Sequence, residues 1–445
     1  MSFFFDFTQL HSFGSLPPSP LPPFKASITV LFRNPKVHHL FDEESKCWEY
    51  NNASEAKSSL FQSMFAHVLA QETYDASLAN LGYYVSLGAS GVTLRAEGYN
   101  DRLSDFSQFI VHTLLQGCND SKVFTAELLG VMKDRRVRSL ESFMKERPDS
   151  HANYYTNMLY SPGEGNDIES RVEATKLVTM EELRTHIKGL FEDDSCCVEA
   201  LYTGNVNLNE ARGWFEEARA NIERKRRTHS NNNNNNNNVW TPSPSIKALN
   251  SKTFGSDVQI HMQSPNPLEE NGALFVKAQC DTTSFTGIDK RDLKRTASFR
   301  VLNHMLREPL FNEVSRREQA SLVKTKLTLV FFFFFFFSPQ LRTKQALGYI
   351  VTSGMESEFS SSNNALEDYN LTKCDSLYFL IVSKKVSPLE LGKRLDNFLT
   401  TFEKTLESMG QEEVDQHSMA LQKKMMEPHK NLNSEANEHL AMIRR

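Results

Sequence analysis

The chain is poor in several features that mark specialised classes of protein. It has six cysteines in 445 residues, and none of them are spaced as Cys-x-x-Cys or in another metal-ligand pattern. Its formal net charge is only −5, so the composition does not call for nucleic acid or an anionic membrane as a partner. The run of nine apolar residues from Leu329 to Phe337 is too short to cross a membrane as a helix. We therefore expect a cytoplasmic protein with reduced cysteines that binds neither nucleic acid nor membrane.

The rest of the composition is that of an ordinary globular protein, with 39% hydrophobic and 24% charged residues. A chain of this length predicts two or three domains, each large enough to bury its own core. Residues 1–21 are a doubtful N-terminal extension. They are apolar in part, but Asp6 interrupts them and no basic segment precedes them, as it would in a signal peptide.

Residues 22–226 predict a first domain in which helices pack on a mainly antiparallel sheet. Residues 26–32 place Ile28, Val30 and Phe32 on one face of a strand, and residues 83–97 predict two strands around a turn. Helical spacing of apolar residues is present at 58–82, 105–116, 126–145, 152–159, 179–191 and 209–224, and 197–202 predicts a further strand. This order of strands and helices predicts an α+β fold.

Residues 227–250 predict a linker, and residues 251–445 predict a second domain. The linker contains eight consecutive Asn and is rich in Ser and Pro, a composition that cannot bury a core. The second domain repeats the order of the first, with strands at 273–280, 347–354 and 376–383 and helices at 291–307, 388–409 and 412–426. Two tandem units of similar order suggest an internal duplication. We expect the second unit to be truncated, because its last helical pattern is not followed by a closing strand.

Residues 314–340 are predicted to be an insert from a retained intron. The segment begins with Val314, whose codons start with GT, contains seven consecutive Phe, which a pyrimidine tract encodes, and closes on Gln340, for which CAG is a codon. The alternative is a genuine apolar strand, but so long an apolar run would be prone to aggregation. Removal of the insert joins Glu313 directly to Leu341.

The repaired sequence resembles the C-terminal half of insulin-degrading-enzyme-like metallopeptidases, the M16 family. The resemblance rests on Phe311-Asn-Glu313 followed by Leu341-Arg-Thr-Lys-Gln-Ala-Leu-Gly-Tyr-Ile-Val351. It is supported by Gly98-Tyr-Asn-Asp101, by Arg147-Pro-Asp-Ser-His-Ala-Asn-Tyr-Tyr155 and by Val198-Glu-Ala-Leu-Tyr-Thr-Gly-Asn205. It implies two tandem domains of the LuxS and mitochondrial-processing-peptidase type, which are the third and fourth of four similar domains that enclose a chamber.

In that family, zinc lies in the first half, on a helix with a His-x-x-Glu-His motif. Two His one helical turn apart bind the metal and the Glu polarises a water molecule. This sequence has no such motif, because His67 is followed by Ala70 and Gln71, and His304 by Arg307 and Glu308. His38 and His39 with Glu43 and Glu44 are a weak alternative, since adjacent His do not share a helix face. The chain alone is therefore expected to bind no zinc and to lack a complete catalytic site.

The resemblance implies a different contribution from Arg342 and Tyr349. In relatives, the matching Arg and Tyr reach across the chamber and hydrogen-bond the substrate backbone and the carbonyl that is attacked. A guanidinium and a phenol are suitable donors to an oxyanion. The alternative is that Arg342 pairs with a carboxylate such as Glu313 and that Tyr349 packs within a strand. His151, Tyr154 and Tyr155, which recur at helical spacing, are expected to form a packing seam rather than a substrate contact.

These observations predict the non-catalytic, substrate-binding half of a zinc metalloendopeptidase that degrades short peptides. Its partners would be peptide substrates and a zinc-bearing N-terminal half, in the same chain or a separate one. Two alternatives stay open: an inactive partner subunit of a two-chain processing peptidase, and a nonfunctional product of a decaying gene.

Overall fold

The computed structural model describes residues 2–6, 25–42, 47–88, 91–116, 123–160, 167–192, 197–227, 258–279, 283–285, 290–320, 350–361, 371–429 and 431–443. The chain divides into two compact units that are not continuous in sequence. Unit 1 contains Met1–Ser142, Gly163–Pro242 and Pro428–Arg445, and unit 2 contains Phe143–Pro162 and Ser243–Glu427.

The strands are β1 (Ser2–Asp6), β2 (Lys25–Arg33), β3 (His39–Asp42), β4 (Cys47–Tyr50), β5 (Gly82–Gly88), β6 (Gly91–Tyr99), β7 (Cys197–Gly204), β8 (Gly272–Gln279), β9 (Thr283–Phe285), β10 (Ile350–Ser361) and β11 (Leu371–Ser383). The helices are α1 (Asn52–Glu72), α2 (Tyr74–Leu78), α3 (Leu103–Gln116), α4 (Ala126–Ser142), α5 (Pro148–Tyr160), α6 (Ile168–Leu177), α7 (Met180–Glu192), α8 (Leu208–Arg227), α9 (Lys290–Ala320), α10 (Pro388–Ser408), α11 (Gln411–Met425) and α12 (Leu432–Ile443).

Unit 1 is built on an antiparallel five-stranded sheet in the order β1-β7-β2-β6-β5. Alternate residues of β2 enter the core, because successive side chains of a strand point to opposite faces. Ala26, Ile28, Val30 and Phe32 are buried there against residues of α1, α3, α7 and α8. The sheet and these helices therefore form the two layers that the alternation in residues 26–32 predicts.

Helix α1 begins where its sequence supplies a cap. The side chain of Asn51 accepts a hydrogen bond from the backbone N–H of Ser54 at 2.9 Å, which satisfies one of the free N–H groups of the first turn. Further along, Leu60, Phe61, Met64 and Phe65 are fully buried. Their spacing of three to four residues puts them on one side of the helix, and this side packs on the sheet core.

Helix α12 covers part of the opposite face of the same sheet. Leu440 packs against Leu31 of β2 and Leu201 of β7, residues that alternate with the core-facing ones. The unit 1 sheet therefore has helices on both faces.

Unit 2 is built on an antiparallel sheet in the order β10-β11-β8, with β9 also paired to β11. Val351, Phe379, Ile381, Leu274 and Val276 face a core that α9 and α10 complete. Helix α10 starts after Ser387, whose side chain caps the N–H of Glu390, with Pro388 in the first turn. Helix α5 packs against β8 and β11.

The α+β class is confirmed, and most predicted elements are present with small changes of boundary. The helix predicted at 58–82 is two helices, α1 and α2, because Thr73 ends the first and its hydroxyl donates to the carbonyl of Leu69. Residues 2–6 of the doubtful extension form a strand that pairs with β7. Helix α9 continues to Ala320, so the first residues of the predicted insert extend that helix. Within the described part of the chain, no helix is long and apolar enough to cross a membrane.

Candidate functional site

The two predicted site residues, Arg342 and Tyr349, lie outside the described residues. So do most of the predicted insert and residues 228–250 of the linker predicted at 227–250, whereas Arg227 ends α8. Strand β10 begins at Ile350, directly after Tyr349. The described residues next to the predicted site in sequence are therefore those of β10, and β11 and then β8 follow β10 across the sheet.

Across the sheet, Gly354 of β10, Tyr378 of β11 and Lys277 of β8 lie in one row. Alternation places this row on the face opposite the core-facing residues of unit 2. The ring of Tyr378 stacks on Phe275, with centroids 5.8 Å apart and planes 7° from parallel. Its phenol end lies across Gly354, where a Cβ would come closer to the ring than real Cβ atoms do. Glycine at 354 thus makes room for the tyrosine.

Lys277 carries a buried charge in this row. Its side chain is 1% exposed, and its Nζ lies 2.9 Å from Oε2 of Glu356, whose side chain is 41% exposed. A buried ammonium group needs a partner, because its desolvation is otherwise too costly. Sequence reasoning missed Lys277, although it is the only charge in the apolar run of β8 and so gave a usable signal.

The contact of Tyr378 with Gly354 leads to a first prediction. We expect Gly354→Ala to lower the free energy of unfolding by about 1–3 kcal/mol, because the new methyl group overpacks against the ring. The matched control is Gly392→Ala in α10, where a Cβ meets nothing within 4 Å, and which should raise stability by about 0.5–1 kcal/mol. Urea unfolding of both variants measures this. If Gly354→Ala lowers the free energy of unfolding of the Tyr378→Ala variant by as much as it lowers that of the wild type, the contact with the Tyr378 ring is not the cause.

His38 and His39, the alternative metal ligands suggested by the sequence, lie in unit 1 at the start of β3. His39 Nδ1 lies 3.1 Å from the carbonyl of Pro35. Burial lowers the pKa of His38 to about 4, although Glu55 opposes this shift. Both His residues flank the start of β3, and neither joins a cluster of three metal-ligating side chains within the described residues.

Ser58 and His186 are hydrogen-bonded but do not form an activated nucleophile. The hydroxyl of Ser58 donates to the carbonyl of Val37 at 2.7 Å, so its contact with His186 Nε2 at 2.8 Å must be accepted from the ring N–H. An activating base would instead take the serine proton. Burial lowers the pKa of His186 to about 3, with Lys57 contributing in the same direction. The imidazole is therefore neutral and serves as a donor.

A second prediction concerns pH. The folded-state pKa of His186 is about 3 against 6.5 for the free side chain, so the unfolded chain binds this proton first. The contribution of neutral His186 to the free energy of unfolding is fully present above pH 6.5 and is lost as the pH falls towards 3. Between pH 7 and 5, this residue should account for a loss of about 2 kcal/mol. We expect His186→Gln to remove that part of the slope and exposed His112→Gln to leave it intact, as measured by urea unfolding at both pH values. An identical slope in wild type and His186→Gln would contradict the buried neutral state.

Glu55 joins three helices through buried ion pairs. Its two carboxylate oxygens accept from Arg136 Nη2 at 2.7 and 2.6 Å, and Oε1 also accepts from Arg171 Nη2 at 3.3 Å. The Glu55 side chain is 9% exposed, and those of Arg136 and Arg171 are 13% and 23% exposed. The network links α1 to α4 and α6, so it stabilises unit 1 and offers no free carboxylate for catalysis.

His67 and His304, the two His residues compared with the zinc motif, belong to no group of three metal-ligating side chains within the described residues. His67 is exposed on α1. The ring of His304 on α9 lies 6.1 Å from that of His417 on α11, but no third His, Cys, Asp or Glu completes a group there.

The packing seam predicted for α5 is confirmed. Phe143 lies 4.8 Å from His151 and 4.9 Å from Tyr154, measured between ring centroids, and Tyr154 contacts Tyr155 at 5.3 Å. His151 is buried and its Nε2 lies 2.7 Å from the carbonyl of Phe143.

Comparison with known proteins agrees with this architecture. Residues 30–170 match the family described as the middle or third domain of peptidase M16. Residues 335–440 match the family described as domain 4 of the C-terminal lobe of PqqF-like PQQ synthase. Most of the first match falls in unit 1, and its residues 143–162 belong to unit 2. The second match spans the predicted Leu-Arg-Thr signature, β10 and β11.

Two curated relatives cover most of the chain. Human insulin-degrading enzyme is 24% identical over 376 residues, which is 84% of this chain and 30% of the relative. The A-factor-processing enzyme of Saccharomyces cerevisiae is 24% identical over 386 residues, 87% of this chain and 31% of the relative. Among solved structures, pitrilysin shares the fold with a TM-score of 0.61 and 17% identity, over 94% of this chain and 36% of that chain.

The chain belongs to the M16 peptidase family, with insulin-degrading-enzyme-like proteins among its relatives. It spans about a third of the length of the curated relatives it matches. A relative from Schizosaccharomyces pombe, 23% identical over 380 residues, bears the name "Putative zinc protease mug138".

Proposed function

We propose that this chain is the non-catalytic, peptide-binding half of a zinc metalloendopeptidase. The observation that carries the proposal is the pair of family matches, which are to a middle or third domain and to a fourth domain. The catalytic motif of two His and a Glu at fixed spacing is absent from the sequence. Zinc and its activated water would come from another half, encoded in the same chain or a separate one.

Arg342 and Tyr349 would be this chain's contribution to the chemistry. As donors to the substrate backbone and to the developing oxyanion, they would act on a carbonyl that the zinc-bound water attacks. A preorganised donor of this kind is worth about 3 kcal/mol of barrier. Glu356, Lys277 and Tyr378 would fix the strand that follows Tyr349.

Binding without cleavage tests the proposal. A fluorescein-labelled, unstructured peptide should bind the purified chain and be recovered intact, and a folded protein of similar charge should not bind. Binding weakened by Arg342→Ala, with no effect of exposed Arg307→Ala, would support the assigned residue. Failure of the wild-type chain to bind any unstructured peptide would refute the peptide-binding role.

A further inference from the structure

Strand β8 is an open edge of the unit 2 sheet. Within the described residues it pairs with β11 and with no other strand. The Lys277 side chain is only 1% exposed, yet the residue as a whole is partly exposed, so the exposed atoms belong to its main chain. All eight residues of β8 are partly or fully exposed, although Leu274 and Val276 pack against the core. Strand β8 therefore keeps solvent-accessible surface along its whole length.

The segment just before β8 has the pattern of a strand but pairs with no strand in the described part of the chain. Val258-Gln-Ile-His-Met-Gln263 alternates apolar and polar residues, as a half-buried strand does. It contains no Pro and no residue with a fixed charge. Its apolar residues are nevertheless exposed: Val258 by 43%, Ile260 by 48% and Met262 by 56%. In a strand, apolar residues at alternate positions ordinarily pack against another layer of the protein, and these three do not.

A hydrogen-bonded turn lies between this segment and β8. The backbone N–H of Asn266 donates to Ser264 Oγ at 3.3 Å, and the side chain of Asn266 accepts from Leu268 N at 3.1 Å. Asn271 N donates to Glu269 Oε1 at 2.7 Å, immediately before β8 begins at Gly272. Asn side chains that bond the backbone two residues on are typical of tight turns. Because only residues 264–271 separate the segment from β8, the loop-closure entropy lost when the two pair would be small.

We propose that Val258–Gln263 adds to β8 as a further antiparallel strand and thereby closes this edge to other extended chains. The pairing is reversible: the structure shows the open arrangement, with the segment exposed. In the closed arrangement, the outward N–H and C=O groups of β8 pair with those of the segment, and its apolar residues lie on one face of the enlarged sheet. Insofar as peptides bind this protein by strand addition, which rests on the proposed function, the segment competes with them at this edge.

The test uses the full chain and two substitutions at one exposed position. Ile260→Pro prevents strand addition because proline lacks the N–H and restricts the backbone, whereas Ile260→Val keeps the β preference. Hydrogen exchange is measured on the β8 amides that do not bond to β11. We expect these amides to exchange about three- to tenfold faster in Ile260→Pro and at the wild-type rate in Ile260→Val. Equal exchange in all three proteins would overturn the proposal, as would protection that depends on protein concentration, since a second copy would then occupy the edge.

A labelled peptide with the segment's own sequence, Val-Gln-Ile-His-Met-Gln, provides the second measurement. It should bind Ile260→Pro about three- to tenfold more tightly than wild type or Ile260→Val, because the competitor is disabled. Equal affinity for all three proteins would overturn the proposal. Failure of an unrelated unstructured peptide to bind any of them would instead refute the proposed function, while the exchange result would still decide whether the segment covers β8.

Discussion

Replacing Arg342 by Ala, or Tyr349 by Phe, in a spliced full-length protein with its zinc-bearing half is expected to lower kcat by about 10²- to 10³-fold. In the proposed function, each substitution would remove a donor that acts on the substrate carbonyl as charge develops there. Loss of an interaction made only in the transition state lowers kcat and kcat/KM together. Tyr349→Phe should therefore change KM little, whereas Arg342→Ala also removes a donor to the substrate backbone and should raise KM. Steady-state hydrolysis of a fluorogenic peptide measures both constants.

The matched controls are substitutions of the same type at exposed positions. Arg307→Ala on α9 and Tyr74→Phe on α2 remove an exposed guanidinium and an exposed phenol hydroxyl, and they should leave kcat unchanged. The double variant of Arg342 and Tyr349 should lose less than the product of the single effects if the two groups act on one carbonyl. Wild-type turnover in that double variant would remove both residues from the chemistry.

Loss of the Glu55 carboxylate is expected to produce the largest change in stability. Glu55→Ala leaves the guanidinium groups of Arg136 and Arg171 without their shared partner inside unit 1. Removing one member of a buried ion pair costs about 3–5 kcal/mol, because the remaining charge then lies in a desolvated site without its counter-charge. The free energy of unfolding, measured in urea at pH 7, should fall by that amount.

An exposed ion pair supplies the control for this prediction. The side chains of Arg102 and Asp105 are 81% and 73% exposed, so Asp105→Ala should cost less than about 1 kcal/mol. If Glu55→Ala is as mild as Asp105→Ala, the network joining α1, α4 and α6 contributes little to unit 1.

The elements of the fold were predictable where a local pattern carries the information. Alternation in residues 26–32 gave β2, and apolar spacing gave α1 and α3, because burial of one face imposes the period of the element on the sequence. What lies against each element is a different matter. Amphipathicity shows that α5 and α12 bury a face, but not that α5 packs on β8 and β11 or that α12 packs on β2 and β7.

The internal ion pairs were hidden for a related reason. Glu55 contacts Arg136 and Arg171, which are 81 and 116 residues away in sequence, and charged residues are ordinarily exposed. The partnership of Gly354 and Tyr378 across two strands depends on register, which the sequence of either strand leaves open. The roles of Arg342 and Tyr349 stay predictions, since they come from the family resemblance and these residues lie outside the described part of the chain.

The division of labour between two halves is the claim on which this account depends, and one assay of the isolated chain tests it most directly. The purified protein is incubated with excess zinc and a quenched fluorescent peptide, and bound metal and cleavage are measured in the same samples. The account predicts peptide binding with no stoichiometric zinc and no cleavage above the buffer control. Zinc-dependent hydrolysis that is abolished by a chelator and restored by added metal would contradict it.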